Sequence, residues 1–182
     1  GNASITSSLQ VIGQIVAYAG EYGISTNPES FAVYGYRKYF TDKKRGAVLR
    51  LSRDGMTEIS SYGMHDFFRD ELADATKVVG GWNSHTKDYV LSLQTNSDYK
   101  TATFDEGVLG WTSFSSYKPS HIFSLSNVFY TFNQDVDINN NLGRLYQHYL
   151  GPYAKFYGVT YGSDVTIVLN SNPSVVKNFK TI

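Results

Sequence analysis

Residues 28–60 read PESFAVYGYRKYFTDKKRGAVLRLSRDGMTEIS, and this stretch decides the fold class. Its opening, 30–40, is rich in β-branched and aromatic residues and is broken midway by Gly35, which predicts a strand, a tight turn and a second strand. Asp42-Lys43-Lys44-Arg45-Gly46 follows as a charged turn closed by glycine. Residues 47–51, AVLRL, then form a third strand in which Arg50 is expected to face away from the apolar neighbours of Val48. Arg53-Asp54-Gly55 marks another hairpin, because Asp-Gly readily supplies the positive φ that two-residue turns need, and 56–59 returns. Four short antiparallel strands in about thirty residues make one propeller blade or one four-strand meander of a sandwich.

The same order of aromatic strand, polar turn and outgoing strand recurs downstream. Residues 76–81 and 88–93 flank WNSHTK, 82–87, a hairpin whose loop is expected to display Trp82 and His85. Residues 99–104 and 108–114 flank Asp105-Glu106-Gly107, and 121–125 and 128–132 flank Ser126-Asn127. Residues 143–149 pair next, across a polar insertion at 133–142, and 164–169 with 175–179 form a last hairpin around NSNP. Upstream, 4–10 reads as an extended arm and 20–27 as a loop. Residues 11–19 read as a strand or a short helix, with Val, Ile and Tyr favouring the strand.

One helix interrupts the rhythm, at 62–73. Ser60 or Ser61 is placed to cap it, Met64, Phe67, Phe68 and Leu72 recur at helical spacing, and His65, Asp66, Arg69, Asp70 and Glu71 take the solvent side. Together these signals predict a single all-β domain over 1–182. Its expected form is a propeller-like array of antiparallel hairpins, ~40–45 residues per blade, with one short helix; a β-sandwich is the alternative.

Composition narrows the function classes. Sixteen basic and sixteen acidic residues give a formal net charge of zero, so no long-range field recommends nucleic acid or an anionic membrane as partner. A 41% hydrophobic share beside 18% charged residues is a globular balance, and the 15% aromatic share favours β-structure. The chain has no cysteine, so neither a disulfide framework nor a Cys-ligated metal enters the reading. It carries no initiator Met, no signal-peptide pattern and no apolar run of membrane-spanning length, and its final residues, NPSVVKNFKTI, read as an interrupted strand. The expectation is therefore a segment of a longer chain.

Three phrases carry a family resemblance. NPESFAVYGYRKYFTDKKRGAVLRLSRDGMTEISSYGMHDFF, FDEGVLGWTSFSSYKP and NPSVVKNFKTI, in this order over roughly residues 11–182, resemble segments of large virion structural proteins of tailed bacteriophages, including marine and crAss-like phages. The resemblance implies a tail, baseplate or portal-proximal building block located in the virion, with other virion proteins or the rest of its parent chain as partners. It implies no catalytic chemistry and no cofactor.

The residues themselves offer little for catalysis or metal binding. DVDINNN, 135–141, starts like a calcium loop with oxygen ligands at alternate positions. Asn140 stands where that loop needs Gly, and Tyr146 where it needs a bidentate Glu, so an Asp/Asn-rich surface turn accounts for the same letters. His65, His85, His121 and His148 show no metal-ligand spacing. Asp105-Glu106 and Asp70-Glu71 read as a turn and a helix surface. No nucleophile elbow, P-loop or dinucleotide fingerprint is present.

The aromatics are the remaining signal. Most of the tyrosines and phenylalanines are expected to pack sheet faces, and Trp111, alternating with Leu109 and Ser113, belongs with them. Trp82, in a Gly-Gly-Trp-Asn context, is expected at the surface, and with Tyr149 and Tyr153 it forms the candidate interface or glycan-binding set. Two functions follow from different classes: a phage assembly module working through protein–protein contacts, or a carbohydrate-binding or receptor-recognition β-module. No enzyme activity is expected.

Overall fold

The computed structural model describes residues 20–133 and 143–167, together with Ser174. The strand expected at 11–19, the calcium-like stretch at 135–141 and the strand expected at 175–179 lie outside the described residues. Among those described, 46% are in strands and 14% in helix, so the protein is mostly β, arranged as four antiparallel sheets and one α-helix.

The opening stretch folds as its turn residues dictate. Strands β1 (Ala32–Tyr34), β2 (Arg37–Asp42), β3 (Ala47–Ser52) and β4 (Gly55–Glu58) pair in chain order as an antiparallel meander. Gly35 takes the positive φ of the β1–β2 turn, at 57°, and in the β3–β4 turn the positive φ falls on Gly55, at 105°, rather than on Asp54. The charged turn between β2 and β3 is a single 3-10 turn, Lys43–Arg45, pinned by buried Asp42. That carboxylate accepts from the backbone N–H of Arg45 at 3.3 Å and of Gly23 at 3.0 Å.

Side chains alternate along a strand, so Arg50 shares the face of Val48 and points away from the neighbouring Ala47 and Leu49, as expected. It turns inward, and its guanidinium donates to Glu106 Oε2 at 2.7 Å while Tyr39 Oη donates to Glu106 Oε1 at 2.8 Å. Glu106, from the turn of the next sheet, thus reaches back to the first one, and the charge is retained inside because it is paired and hydrogen-bonded.

The helix α1 spans His65–Asp74, starting three residues later than 62–73. The serines expected to cap it are engaged elsewhere. Ser60 Oγ accepts from Val48 N–H at 3.1 Å and donates to Glu58, and Ser61 Oγ donates to the Glu58 carbonyl, which holds Ile59–Ser61 in a 3-10 turn. Met64 occupies the N-cap with no side-chain bond, and Asp66 in the first turn meets the positive end of the helix dipole. The expected apolar face is observed: Phe68 and Leu72 are fully buried, with Met64 and Phe67 packed beside them.

The second sheet is the organiser. Strands β5 (Lys77–Asn83), β6 (Asp88–Gln94), β7 (Tyr99–Asp105) and β8 (Gly110–Ser115) form another antiparallel meander, and every residue of β6 is buried. One face carries Val78, Trp82, Tyr89, Leu91, Leu93, Ala102 and Phe104, which close the main core with Tyr39 and Val48 of the first sheet and Phe68 and Leu72 of α1. The opposite face carries Val79 and Val90, which join Tyr117, Ile122 and Phe129 in a smaller core. That second core is roofed by the three-stranded sheet of β9 (His121–Leu125), β10 (Val128–Asn133) and β11 (Arg144–Gln147). A hairpin that the sequence reading missed, β12 (Lys155–Phe156) with β13 (Val159–Thr160), follows.

Gly80 and Gly81 show why two glycines sit side by side in β5. A Cβ on Gly80 would lie 2.2 Å from the Ser30 carbonyl oxygen, and one on Gly81 would lie 2.3 Å from Ile122 Cγ2. The strand is approached closely on both faces, and only hydrogen fits. Trp82, next along, is correspondingly buried at 8% exposed, stacked between Tyr34 (4.2 Å between ring centroids) and Tyr39 (5.5 Å). The expectation that a hairpin loop displays it is corrected: Trp82 is a strand residue of the main core, opposite Tyr89.

One other expectation changes: residues 164–167 carry no strand.

Candidate functional site

A cleft of about 730 Å³ opens on the second face of the β5–β8 sheet. Strand alternation builds its floor: Val90, Thr103 and Ser113 lie in one row across β6, β7 and β8, with Asp88 at the strand end. The other wall is the segment that leaves β11, from His148 to Gly158. Three non-glycine residues of that segment, Tyr149, Ala154 and Tyr157, hold positive φ (62°, 54° and 53°). Each costs roughly 1 kcal/mol or more, so the surrounding packing must hold them, and such residues cluster at ligand clamps more than elsewhere.

Asn83 sets the rim. Its Oδ1 accepts from His85 N–H at 3.1 Å, bending the chain out of β5, and its Nδ2 donates to Tyr149 Oη at 2.6 Å. Tyr149 is thereby held flat against His85, with ring centroids 4.1 Å apart and planes 22° apart, and is 57% exposed. Tyr153 projects from the same wall, 99% exposed. Two of the three expected aromatics thus meet at one cleft, whereas Trp82 lies in the main core.

The interior of the cleft is polar but mostly satisfied. His148 Nε2 shares a 2.8 Å hydrogen bond with Thr131 Oγ1, which also meets Tyr157 Oη at 2.8 Å. Burial against Tyr117 and Phe129 lowers the pKa of His148 to about 4, so the ring is neutral at neutral pH. Thr131 and His148 pair as a nucleophile and a base would, but Thr131 is fully buried and the bond is structural.

Asp88 is the exception. It is buried, and its Oδ1 has no hydrogen-bond partner among the described residues. Burial raises its pKa, and Asp105, directly across on β7, adds to the rise, while the Thr86 side chain and the Asp88 backbone N–H oppose it. A buried carboxyl with one oxygen unpartnered and no opposite charge is costly, which makes it the least explained group in the cleft and its chemical focus.

Asn83 carries no signal in the sequence, and His148 stands there only as one of four histidines without ligand spacing. Asp88 had one legible signal: an acidic residue opening DYVLSL, a run apolar enough to be a fully buried strand. The carboxylate pairs that were considered are occupied elsewhere. Glu106 is bound by Tyr39 and Arg50, Asp105 Oδ1 accepts from Gly107 N–H, Glu71 pairs with Lys100, and Asp70 pairs with Arg69 at 2.8 Å. Among the described residues no three His, Asp or Glu side chains are grouped as metal ligands; His85 and His148 both neighbour Tyr149, while His65 lies on α1 and His121 on β9.

The cleft offers exposed aromatic faces at the rim, tyrosine hydroxyls and a neutral imidazole inside, and one acidic acceptor in the wall. No protein-family model matches the chain, and no curated protein matches it.

Proposed function

We propose that this chain is a carbohydrate-binding or receptor-recognition β-module of a phage particle, with the cleft beside Asp88 as its binding site. The observation that carries the reading is the meeting of Tyr149 and Tyr153, both exposed, with a buried acceptor in one cleft. Sugars are recognised by rings that stack on their C–H faces and by polar groups that fix their hydroxyls, and this cleft lines up aromatic rings with many polar side chains. The virion setting rests on the resemblance of the three sequence phrases to phage structural proteins. The finer architecture proposed is a propeller-like array, favoured by the sheets opening at Ala32, Lys77 and His121, 45 and 44 residues apart, which is one blade length.

A glycan array probed with the purified chain tests the reading. Selective binding is expected, and Tyr149→Ala should weaken it by ~1–3 kcal/mol, as truncation of an anchor aromatic does. Binding to no glycan, or binding untouched by Tyr149→Ala, refutes it.

A second observation favours the assembly reading. Val33 and Tyr34 of β1, the edge strand of the first sheet, and Phe31 and Tyr36, which flank it, are 49%, 43%, 44% and 69% exposed. An apolar edge that pairs with no further strand among the described residues is a template for strand addition by a virion protein or by the rest of the parent chain. Sedimentation analysis of Val33→Lys against the unchanged chain separates the two functions: assembly through this edge predicts self-association that the lysine abolishes.

A further inference from the structure

The cleft has a charge preference that the glycan reading alone does not specify. Asp88 and Lys155 are the formally charged side chains lining it, apart from its two histidines. Lys155 is exposed on the rim, where water and salt screen it, whereas Asp88 is buried and its Oδ1 lacks a partner among the described residues. Asp105 faces Asp88 across the β6–β7 pair and deepens the negative potential at that spot. Beyond the hydrogen bonds from the Thr86 side chain and its own backbone N–H, two things can offset a buried carboxyl with one oxygen unpartnered: a proton, or a cation within ~4–6 Å. Among the described residues no Lys, Arg or His forms an ion pair with Asp88: Lys155 stays on the exposed rim, and His148 is neutral and hydrogen-bonded to Thr131.

The aromatic walls point the same way. Tyr149, Tyr153, Tyr146 and Tyr157 present π-faces and edges to one space, and ring faces attract ammonium groups and repel anions. We infer that the ligand carries a protonated amino group, as an amino sugar with a free amine does, and that this group sits beside Asp88 while the sugar ring packs on Tyr149. The inference rests on the glycan-binding reading and assigns its ligand class. It also places acidic sugars among the ligands the cleft rejects.

The experiment is a calorimetric titration of the chain with a glucosamine oligomer and with the N-acetylated oligomer of the same length, at a pH where the free amine is protonated. The two differ only in the group assigned to Asp88. The free amine is expected to bind at least about tenfold tighter, as a desolvated charge pair does over its neutral counterpart. Asp88→Asn should erase that preference, and Tyr149→Ala should weaken both oligomers alike. Equal affinity, tighter binding of the acetylated oligomer, or a preference that survives Asp88→Asn overturns the amine assignment and leaves the glycan reading standing. If neither oligomer binds while other glycans do, the assignment falls alone; if no glycan binds, both fall. The oligomer pair needs no variant, so the unchanged chain decides the question even where Asp88→Asn fails to fold.

Discussion

The two faces of the β5–β8 sheet are built from the same strands and do opposite things. The face toward β1–β4 and α1 is apolar, with Tyr39, Tyr89 and Trp82 stacked ring on ring and Phe104 set edge-on to Trp111. The face toward β9–β11 interleaves Ser92, Thr101, Thr103 and Asp88 with a few apolar residues. Thr101 Oγ1 there donates to the Tyr117 carbonyl at 2.7 Å, and Gln94 Nε2 donates to the Pro119 carbonyl at 2.6 Å. The first face closes by excluding water, the second by matching polar groups one to one. Where that matching runs out, at Asp88, the second face opens into the cleft. Stability and binding are thus separated by the pleat of a single sheet.

The largest expected effects, those of Gly80→Ala and Trp82→Ala, test the closed face. Gly80→Ala drives a Cβ into the Ser30 carbonyl, a backbone atom that cannot swing aside, and should cost about 3 kcal/mol or more in urea unfolding. Gly35→Ala meets open space, and its positive φ alone should cost ~1–2 kcal/mol. If the two variants unfold alike, the close approach of the Pro28–Ser30 turn to β5 does not hold this face together.

The second effect belongs to the polar face and is read through pH. Burial lowers the pKa of His148 from 6.5 to about 4, so on acidification the unfolded chain takes up the proton first. The stability that neutral His148 confers is therefore full above about pH 6.5, declines as pH falls through that value and is gone below about pH 4. Between about pH 7 and about pH 5 the loss should be about 2 kcal/mol, and His148→Gln should flatten that slope. A pH-independent urea midpoint over this window would mean that His148 is hydrated, and the second core looser than the first.

The smallest effect marks the rim. Tyr153→Ala should leave the unfolding free energy within about 0.5 kcal/mol, because nearly all of that ring is already in water. Trp82→Ala, by contrast, should destabilise by ~3–5 kcal/mol rather than act on a ligand alone, since it removes a ring from the middle of the core stack.

Much of the scaffold was written locally. Gly35, Gly46 and Ser126-Asn127 adopt the positive φ that their turns require, and α1 buries the apolar side that its spacing predicts. These features depend on residues a few positions apart, so a single stretch of sequence contains their cause. The late start of α1 shows the limit of that locality: Ser60 looked like a cap, yet its hydroxyl is taken by Val48, twelve residues upstream on β3.

What the sequence determined by itself was the β class, the hairpin order and the aromatic load. Only the tertiary structure decided which rings are core and which are rim. Trp82 and Tyr149 are both aromatic residues near polar turns. Trp82 falls on the face of β5 that meets the first sheet, while Tyr149 lies beyond the end of β11 and is drawn over the cleft by Asn83, 66 residues away. Burial is set by what packs against a face, and the packing partner of a strand face is named by no residue within that strand. Asp88 is the clearest case, since its unpartnered Oδ1 becomes visible only once β6 is packed in its sheet beneath the segment that follows β11.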